Sequence, residues 1–589
     1  MTGNDVAQIV FLLAAVAICT PLLGAYLYRV IERKPIPGVS RVLGPVERGA
    51  YRLLRIDPDR EQGWKSYAGA VIAFSAASFA VLYAILRLQG HLPLNPADYP
   101  GMSWSVAFNT AISFVTNTNW QFYAGESTLS YLSQMAGLAV QNFASAAVGI
   151  AVMAAVVRGF ARRGTDMLGN FWTDLVRITL YALVPLAVVV GIVLGSQGVM
   201  QTFDHPVTYQ TYEAHTLGTA GEDGAPLTQS LYRGPVASQI AIKQAGTNGG
   251  GYFNSNSATP AENPNPVSNY VELWAELVIA FALTYTFGLM VGSRRQGWAI
   301  FAAMMAILVV AIAVMVPFEN RGSEVLQSSG VALQAGDGSA GGFQPGGNMS
   351  DKEVRFGPGP TALWAAVTTG TSTGAVNGGH DALTGGAGAV TLALMTIGEV
   401  APGGVGSGIY GMLLFVVVAV FIAGLMVGRT PEYLGKKIGA REIKLTMIGV
   451  LVMPIGLLVM LAVAVTTSAG TASMSNTGPQ GFAEAFYAYA SQWNNNGSAF
   501  AGYGATDLAA TLGGVAMGLG RFVSILAVLG LAGALVRRPV APFSAGTLRT
   551  TTPTFVVTLI FVIVLVAALN FIPALALGPV ATQLSGRPF

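Results

Sequence analysis

Long apolar stretches alternate along the chain with segments rich in small polar residues. Ten of these stretches contain the roughly 20 mostly apolar residues that a membrane-crossing helix needs. The predicted spans are Ile9–Tyr26, Ala68–Leu88, Met135–Val157, Ile178–Leu194, Val271–Val291, Trp298–Val316, Ile409–Val427, Ile448–Val465, Leu512–Val536 and Phe555–Leu577. The pattern therefore predicts an all-α polytopic membrane protein.

The composition supports this class. Hydrophobic residues make up 52% of the 589 residues and charged residues only 10%, whereas a soluble domain is about a quarter charged. A chain this poor in charge cannot cover a globular surface, but it can cover one that faces the lipid bilayer. The net charge of +3 indicates no nucleic-acid partner, and the four histidines lack the spacing of metal ligands.

Basic residues mark every second loop. Clusters of Lys and Arg begin at Arg29, Arg158, Arg294, Arg429 and Arg537, after the first, third, fifth, seventh and ninth spans. Basic loops stay on the cytoplasmic side of a membrane, so the long intervening loops and both termini are expected outside. No Lys or Arg precedes the first span, which is therefore interpreted as a retained helix and not as a signal peptide.

Each long external segment ends in a short apolar stretch followed by a cluster of small polar residues. Aligned on Asn117, Asn248, Thr373 and Asn496, these clusters are separated by 131, 125 and 123 residues, which indicates an internal repeat. Each repeat is predicted as a helix, a short re-entrant helix, a pore loop and a second helix around a pseudo-fourfold pore. The predicted division is an extra N-terminal helix at 1–30, repeats at 66–158, 175–293, 297–429 and 445–537, and an extra C-terminal helix at 552–577.

The polar loops suit a large monovalent cation. Non-helical backbone survives at membrane depth only where it is buried in protein or lines a polar pathway. Four loops that meet on an axis can offer rings of carbonyl oxygens that replace the hydration shell of potassium. None of the four clusters contains Asp or Glu. One such loop alone is typical of a surface turn, but four at matching places in a repeat favour a selectivity filter.

Several strings resemble the A subunit of the Kdp potassium-transporting ATPase. They begin at Thr116 (TNTNWQ), Gly246 (GTNGGGYFN), Glu262 (ENP), Gly374 (GAVN), Gly424 (GLMVGRTPEYLGKK) and Asn494 (NNNGS). The resemblance covers nearly the whole chain and implies the fold of the superfamily of potassium transporters. It also implies a high-affinity uptake system of the bacterial inner membrane. In that system this subunit binds potassium at the outer face, beside a P-type ATPase B subunit and small C and F subunits.

The resemblance also implies the residues of the filter. These positions are Thr116, Asn117, Thr118, Thr247, Asn248, Gly249, Thr371, Ser372, Thr373, Gly374, Asn494, Asn495, Asn496 and Gly497, with Gln121 at the filter entrance. The family commonly has cysteine where this chain has Thr373, which puts any role of a side-chain sulfur in doubt. The first loop has Thr118 where the other loops have glycine, so the filter is not expected to be fourfold symmetric.

The segment between the third loop and the basic cluster after the seventh span is too long for one crossing. Within it, the run 398–408 interrupts an apolar stretch with a proline and several glycines. Interrupted helices mark transport sites in many transporters. A loop containing Glu399, Gly403 and Gly404 is therefore expected under the filter as an obstruction, with a simple kinked turn at the membrane surface as the alternative.

Arg521 lies inside the ninth apolar span, where an unpaired cation is costly. Two interpretations stay open. The guanidinium either snorkels to the outer surface or pairs with a carboxylate, for which Glu399 is the best-placed candidate.

The sequence contains no nucleotide site, since it lacks a Walker-type loop and an Asp-Lys-Thr-Gly phosphorylation sequence. The chain is therefore expected to be a non-catalytic, channel-like subunit of an ATP-driven potassium pump, with the potassium ion as its ligand. The alternative is a stand-alone potassium channel or ion-coupled symporter of the same superfamily. A membrane-embedded enzyme would need convergent acid, base or metal ligands in the spans, and none is apparent.

Overall fold

The computed structural model describes residues 2–210, 228–331, 333–334, 336–337, 343–344, 346–426, 428, 430–498, 500–540 and 548–585. Within them, ten helices are long and apolar enough to cross a membrane, which confirms the all-α polytopic class and the predicted number of spans. Val427, the predicted end of the seventh span, and Arg429, in the basic segment after it, lie outside the described residues, as does Met1.

The helices follow the predicted order. They are α1 (Gly3–Ile31), α2 (Val39–Leu53), α3 (Trp64–Leu88), α4 (Trp104–Val115), α5 (Gly125–Thr128), α6 (Val140–Ala161), α7 (Phe171–Arg177), α8 (Val184–Ser196), α9 (Val236–Ala245), α10 (Pro266–Met290), α11 (Arg294–Arg321), α12 (Glu324–Ser328), α13 (Pro358–Gly370), α14 (Gly385–Thr396), α15 (Ser407–Met426), α16 (Ala440–Thr466), α17 (Ser468–Thr471), α18 (Gly478–Asn494), α19 (Asp507–Leu535), α20 (Pro553–Leu575) and α21 (Ala581–Leu584). Three π-helical segments, Ser133–Ala139, Ile178–Leu183 and Ala576–Val580, extend α6, join α7 to α8 and follow α20.

Short antiparallel ribbons join some of the helices. They pair β1 (Gln62–Gly63) with β2 (Met167–Gly169), β3 (Val207–Gln210) with β4 (Thr228–Leu231), β5 (Gly336–Asp337) with β6 (Phe343–Gln344), and β7 (Glu432–Tyr433) with β8 (Lys436–Lys437). None of these ribbons is longer than four residues, so the fold is built from helix packing.

Four helices, α4, α9, α13 and α18, are too short to span. They contain 12, 10, 13 and 17 residues, and each ends directly before one of the polar clusters. A membrane-crossing helix needs about 20 residues, so these helices enter the protein and return through the loops. The helix–pore-loop–helix units of the sequence analysis are therefore confirmed, whereas the exact repeat boundaries stay a prediction.

The extra helices at each end brace the repeats. Helix α1 lies along α10, where Thr286 Oγ1 donates to the carbonyl of Gly24 at 2.9 Å. A Cβ on Gly24 would lie 2.6 Å from the carbonyl oxygen of Ala282, so glycine permits the close approach of the two helices. At the other end of the chain, Phe571 of α20 stacks on Phe486 of α18 with 6.2 Å between ring centroids.

Candidate functional site

The four polar clusters contact one another around a ring. A Cβ added to Gly249 would lie 1.9 Å from the carbonyl oxygen of Thr373, and one added to Gly374 would lie 2.2 Å from that of Asn496. Because no side chain tolerates such an approach to a carbonyl, glycine is required where the second loop meets the third and where the third meets the fourth.

The first loop closes the ring. A Cβ on Gly497 would lie 1.6 Å from the carbonyl oxygen of Thr118, and Asn119 Nδ2 donates to the carbonyl of Gly249 at 3.2 Å. The fourth loop therefore contacts the first, and the first contacts the second. The structure brings the fourteen predicted filter residues together, and all of them except Asn494 are buried.

The hydrogen bonds of the loops correct the predicted alignment. Thr118, Asn248, Thr373 and Asn496 are equivalent, because each backbone N–H donates to the carbonyl five residues earlier at 2.8–3.1 Å. The alignment of Asn117 with Asn248 is therefore wrong by one residue in the first loop.

Asn119, and not Thr118, occupies the place of the glycine in the other loops. Its φ is +58°, and asparagine is the non-glycine residue that most readily accepts this left-handed conformation. Its Nδ2 also donates to Asn142 Oδ1 at 2.6 Å. The ring still departs from fourfold symmetry, because only Asn119 carries a side chain at this position.

Left-handed residues flank each of the four equivalent positions. The pairs are Asn117 and Asn119, Thr247 and Gly249, Ser372 and Gly374, and Asn495 and Gly497, with φ between +45° and +91°. The residue between the members of each pair does not have positive φ. This alternation turns successive peptide groups so that their carbonyl oxygens can face the same side.

Side chains of neighbouring loops hold the first and second loops in register. Asn117 Nδ2 donates to the carbonyl of Thr247 at 2.7 Å, and Asn248 Nδ2 donates to Asn117 Oδ1 at 2.5 Å. Ser145 of α6 supports the same group by donating to Asn117 Oδ1 at 2.8 Å. The Nδ2 groups of these asparagines thus fasten the two loops to each other, and the backbone carbonyls of the loops are available for an ion.

The third and fourth loops are joined in the same manner. Ser372 Oγ donates to the carbonyl of Asn495 at 3.0 Å, and Asn495 Nδ2 donates to Thr118 Oγ1 at 3.0 Å. Within the third loop, the hydroxyls of Thr371 and Thr373 lie 2.6 Å apart. The Thr373 side chain is therefore engaged inside its own loop.

The re-entrant helices also favour a cation electrostatically. Each of the four ends where its polar cluster begins, so four helix C-termini adjoin the ring. A helix C-terminus carries the equivalent of roughly half a negative charge. The site can therefore attract a cation although none of its loops carries a carboxylate.

A buried charged cluster that was not predicted from the sequence lies behind the second loop. Lys243 Nζ lies 2.5 Å from Glu262 Oε2, with side-chain exposures of 1% and 0%, and donates to Ser257 Oγ at 3.0 Å. Glu272 Oε2 accepts hydrogen bonds from Gln244 Nε2 and Ser257 Oγ, each at 2.6 Å. This cluster fixes the end of α9, from which the second loop starts.

Glu276 lies one turn further along α10 and is fully buried. Its carboxylate faces the Thr373 side chain of the third loop, without a hydrogen bond of ordinary geometry. The sequence could have pointed to this cluster, because Glu272 and Glu276 lie four residues apart in a predicted apolar span. Carboxylates within membrane helices are rare and usually functional.

A chain of hydrogen bonds runs from the fourth loop to His380. Asn496 Oδ1 accepts from Ser498 Oγ at 2.5 Å, the hydroxyls of Ser498 and Tyr487 lie 2.8 Å apart, and Tyr487 Oη lies 2.6 Å from His380 Nδ1. Burial, together with the nearby Lys352 ammonium, lowers the pKa of His380 to about 3. The imidazole is therefore neutral at neutral pH and adds no positive charge near the ring.

The interrupted segment lies against the filter loops. The backbone N–H of Gly403 donates to the carbonyl of Gly370 at 2.9 Å, and that of Val405 donates to Thr247 Oγ1 at 2.9 Å. Gly404 lies beside the same hydroxyl, and Val400 is fully buried. The segment is therefore packed inside the protein, in contrast to the surface turn considered as the alternative.

Glu399 and Arg521 line one cavity of about 110 Å³, together with Ser372, Asn494 and Asn495. The Glu399 carboxylate faces the Ser372 and Asn496 side chains without a hydrogen bond of ordinary geometry among the described residues, and no ion pair within 4.0 Å joins Glu399 to Arg521. Arg521 is only 7% exposed. Of the two open interpretations, the direct pair is therefore not formed, and snorkelling to an exposed surface does not occur either, since packing buries both groups at one cavity.

We expect weak coupling between Glu399 and Arg521. In a double-mutant cycle with Glu399→Gln and Arg521→Gln, the interaction energy in thermal stability is expected to stay below about 1 kcal/mol, because no direct contact is lost. The control is the buried pair of Arg158 and Asp174, whose side chains are 2.6 Å apart. Arg158→Gln and Asp174→Asn are expected to couple by about 2 kcal/mol or more. Equal coupling in both cycles would contradict the geometry.

Gln121 fastens the first loop to the second just beyond the ring. Its Nε2 donates to the carbonyl of Gly251 at 3.0 Å, and its Oε1 accepts from the N–H of Gly251 at 2.9 Å. The predicted entrance residue therefore acts on the ring through the backbone of the neighbouring loop.

Replacing Gln121 with glutamate is expected to weaken potassium affinity several-fold. The substitution removes the Nε2 donor and places a carboxylate oxygen against the Gly251 carbonyl, and an unmet buried hydrogen bond costs about 1–3 kcal/mol. The control is Gln201→Glu, because Gln201 makes the same two-way contact with Ser238, at 3.0 and 3.1 Å, on the exposed surface. The potassium dependence of uptake measures the affinity of both variants. Unchanged affinity in Gln121→Glu would show that this contact does not support the ring.

Known proteins with similar sequences cover nearly the whole chain. The sequence profile of the family described as KdpA, potassium-transporting ATPase A subunit, matches residues 10–584. The chain is 52% identical over 588 residues to the potassium-transporting ATPase potassium-binding subunit of Sorangium cellulosum and 51% identical over 587 residues to that of Herpetosiphon aurantiacus, covering 99% of this chain and 99% of each relative. The solved structure of the potassium transporter TrkH from Vibrio parahaemolyticus has a TM-score of 0.49 at 16% identity, covering 89% of this chain and 98% of that chain, a likeness too small to support an argument.

Proposed function

The chain belongs to the family of potassium-transporting ATPase A subunits, and we propose that its ring of four loops selects potassium at the external face and passes the ion to a P-type ATPase partner. Potassium is then the transported substrate of this chain. The chain itself is the non-catalytic, channel-like subunit, and ATP hydrolysis takes place on the partner.

One observation carries the proposal. The equivalent residues Thr118, Asn248, Thr373 and Asn496 meet in a closed ring, and each is flanked by left-handed residues. Rings of backbone carbonyls of this kind replace the hydration shell of potassium. Some of the side chains that could compete for the ion, such as Asn117 and Asn495, are instead hydrogen-bonded between loops.

The surroundings of the ring support a cation. Four helix C-termini adjoin it, and each carries the equivalent of roughly half a negative charge. These groups act at a distance, through a medium that screens less than water. The ring can therefore hold a cation by neutral carbonyls, which suits a weakly hydrated ion better than direct carboxylate ligation.

The remaining parts of the proposal concern the assembly. The basic loops support a chain in the bacterial inner membrane with both termini outside. The family and the names of the relatives support a complex with a P-type ATPase B subunit, and we extend the proposal to the small C and F subunits.

A stand-alone channel or symporter is the second candidate. The segment containing Gly403 and Val405 is bonded directly to the second and third loops, which supports the proposal that it obstructs the way from the ring towards the cytoplasm. That contact favours a subunit that transfers the ion to a partner, and it argues against an open channel.

The test compares the chain alone with the complete complex. In liposomes, the purified chain alone is expected to pass little potassium, whereas the complex is expected to hydrolyse ATP in response to potassium. Substitutions in the ring should shift the stimulation to higher potassium concentrations. Sustained potassium flux through the isolated chain would support the channel or symporter instead. Hydrolysis by the complex that ignores ring substitutions would contradict the proposed transfer.

A further inference from the structure

Helix α2 presents one face to the rest of the protein. Glu47 accepts hydrogen bonds from Tyr51 Oη at 2.8 Å, from Arg177 Nη1 at 2.6 Å and from Tyr181 Oη at 2.7 Å. Gly44, one turn earlier, is buried on the same face. This single carboxylate fastens α2 to the span formed by α7 and α8, and it is the only acidic residue of the helix.

A second face of α2 is apolar and exposed. Val42, Val46 and Leu53 are 71%, 54% and 83% exposed. Spacings of four and seven residues place these side chains on one side of a helix. An apolar stripe of this kind is costly in water and needs a cover.

A third face is basic. Arg41, Arg48 and Arg52, with spacings of seven and four residues, are all exposed. Because Glu47 is bonded to Arg177 on the protein-facing side, no acidic residue of α2 offsets these three charges. The protein-facing, apolar and basic stripes therefore divide the helix surface into three sectors.

The contact with Tyr181 indicates where α2 lies relative to the membrane. Its partner Tyr181 lies in the π-helical segment of a membrane span that begins at Phe171. The apolar stretch of that span begins at Ile178, and three residues of helix correspond to about 5 Å along its axis. The helix is therefore held beside the membrane-embedded part of the span, close to the boundary between headgroups and acyl chains, and the basic loops place this boundary in the cytoplasmic leaflet.

We propose that α2 is an interfacial helix that binds anionic phospholipids of the cytoplasmic leaflet. The stripe of Val42, Val46 and Leu53 lies in the acyl-chain region, and the arginines lie at the headgroup phosphates. A helix with one apolar and one basic face has the chemistry of this environment, and each arginine near an anionic surface adds attraction. The inference rests on the proposed orientation of the chain but not on the proposed ion selectivity.

The first test measures the depth of α2 in the complete complex in vesicles of phosphatidylcholine and phosphatidylglycerol. Single cysteines are introduced by Val46→Cys and by Arg48→Cys in a Cys19→Ser background, because Cys19 is the only cysteine. A spin label at position 46 is expected to be accessible to oxygen and shielded from a water-soluble nickel complex, and one at position 48 to show the reverse. A label at 46 that the nickel complex reaches would overturn the proposal. Shielding from both reagents would also overturn it, since another protein subunit would then cover the stripe.

The second test measures lipid preference at the helix. A fluorophore on Val46→Cys is quenched by brominated phosphatidylglycerol or by brominated phosphatidylcholine, and quenching is expected to report an enrichment of the anionic lipid of about fivefold. The triple variant Arg41→Gln, Arg48→Gln and Arg52→Gln is expected to bring this ratio to about one.

The matched control changes three exposed basic residues in the first turns of α11 and α16, Arg294→Gln, Arg295→Gln and Arg441→Gln, and is expected to leave the ratio unchanged. Equal ratios in the parent and in the α2 triple variant would overturn the proposal. An equal loss in the control would overturn it too, because the preference would then reflect the overall charge of the protein.

Discussion

Replacing Gly374 with alanine is expected to weaken the apparent potassium affinity at least about tenfold and to reduce discrimination against rubidium. The residue has φ of +91°, and an added Cβ would lie 2.2 Å from the carbonyl oxygen of Asn496. A non-glycine residue in this region costs about 1–2 kcal/mol, and the collision must also displace a carbonyl of the ring. The potassium dependence of ATP hydrolysis by the complete complex measures the change.

Gly249→Ala is expected to act in the same direction, since its added Cβ would lie 1.9 Å from the carbonyl oxygen of Thr373. The matched control is Gly292→Ala. Gly292 has φ of +74°, close to the +78° of Gly249, but nothing lies within 4 Å of its added Cβ. Backbone strain is therefore common to both variants, and only Gly249→Ala disturbs the ring. Affinity changes of the same size in Gly249→Ala and Gly292→Ala would show that the carbonyl contact does not matter.

Replacing Lys243 with methionine is expected to destabilise the protein by about 3–5 kcal/mol. The substitution leaves the Glu262 carboxylate buried without its cation, where desolvation strongly opposes the charge. Because Lys243 lies near the end of α9, directly before the second loop, the ring is expected to lose potassium affinity as well. Thermal unfolding in detergent and potassium-stimulated hydrolysis measure the two effects separately.

The double variant Lys243→Met with Glu262→Gln is expected to recover part of the lost stability, since it removes both charges. The control is Arg537→Met. Arg537 and Asp166 are also 2.6 Å apart, but their side chains are 56% and 57% exposed, and such surface pairs contribute about 0–1 kcal/mol. A double variant less stable than Lys243→Met would contradict the assignment of the effect to an unpaired carboxylate.

The helices could be predicted from the sequence because the membrane imposes a simple rule. Each span satisfies its own backbone hydrogen bonds and needs an apolar surface, so hydropathy alone finds α1 or α20. Most of the predicted limits fall inside the observed helices, as for Trp298–Val316 within α11, because helix ends continue past the apolar region into polar surroundings. Val291 and Val536 lie one residue beyond the ends of α10 and α19. The filter loops could be found because the same polar cluster recurs four times.

The finer features depend on contacts that the sequence does not display. The alignment of the first loop was wrong by one residue because the loop has Asn119 where the other loops have glycine. Asn117, two residues earlier, was therefore matched to Asn248. The ion pair of Lys243 and Glu262 joins a residue of a re-entrant helix to a residue of a loop, and neither sequence pattern points to the other residue. The separation of Glu399 from Arg521 depends on how α19 packs against the interrupted segment.

The most direct test of the account is the location of the ion. Crystals of the complete complex grown with rubidium in place of potassium would show the ion by its anomalous scattering. The account predicts peaks enclosed by the four loops, at coordination distance from the carbonyl oxygens of Thr118, Asn248, Thr373 and Asn496. An ion found instead at the carboxylates of Glu272 and Glu276, or no ion within the ring, would contradict it.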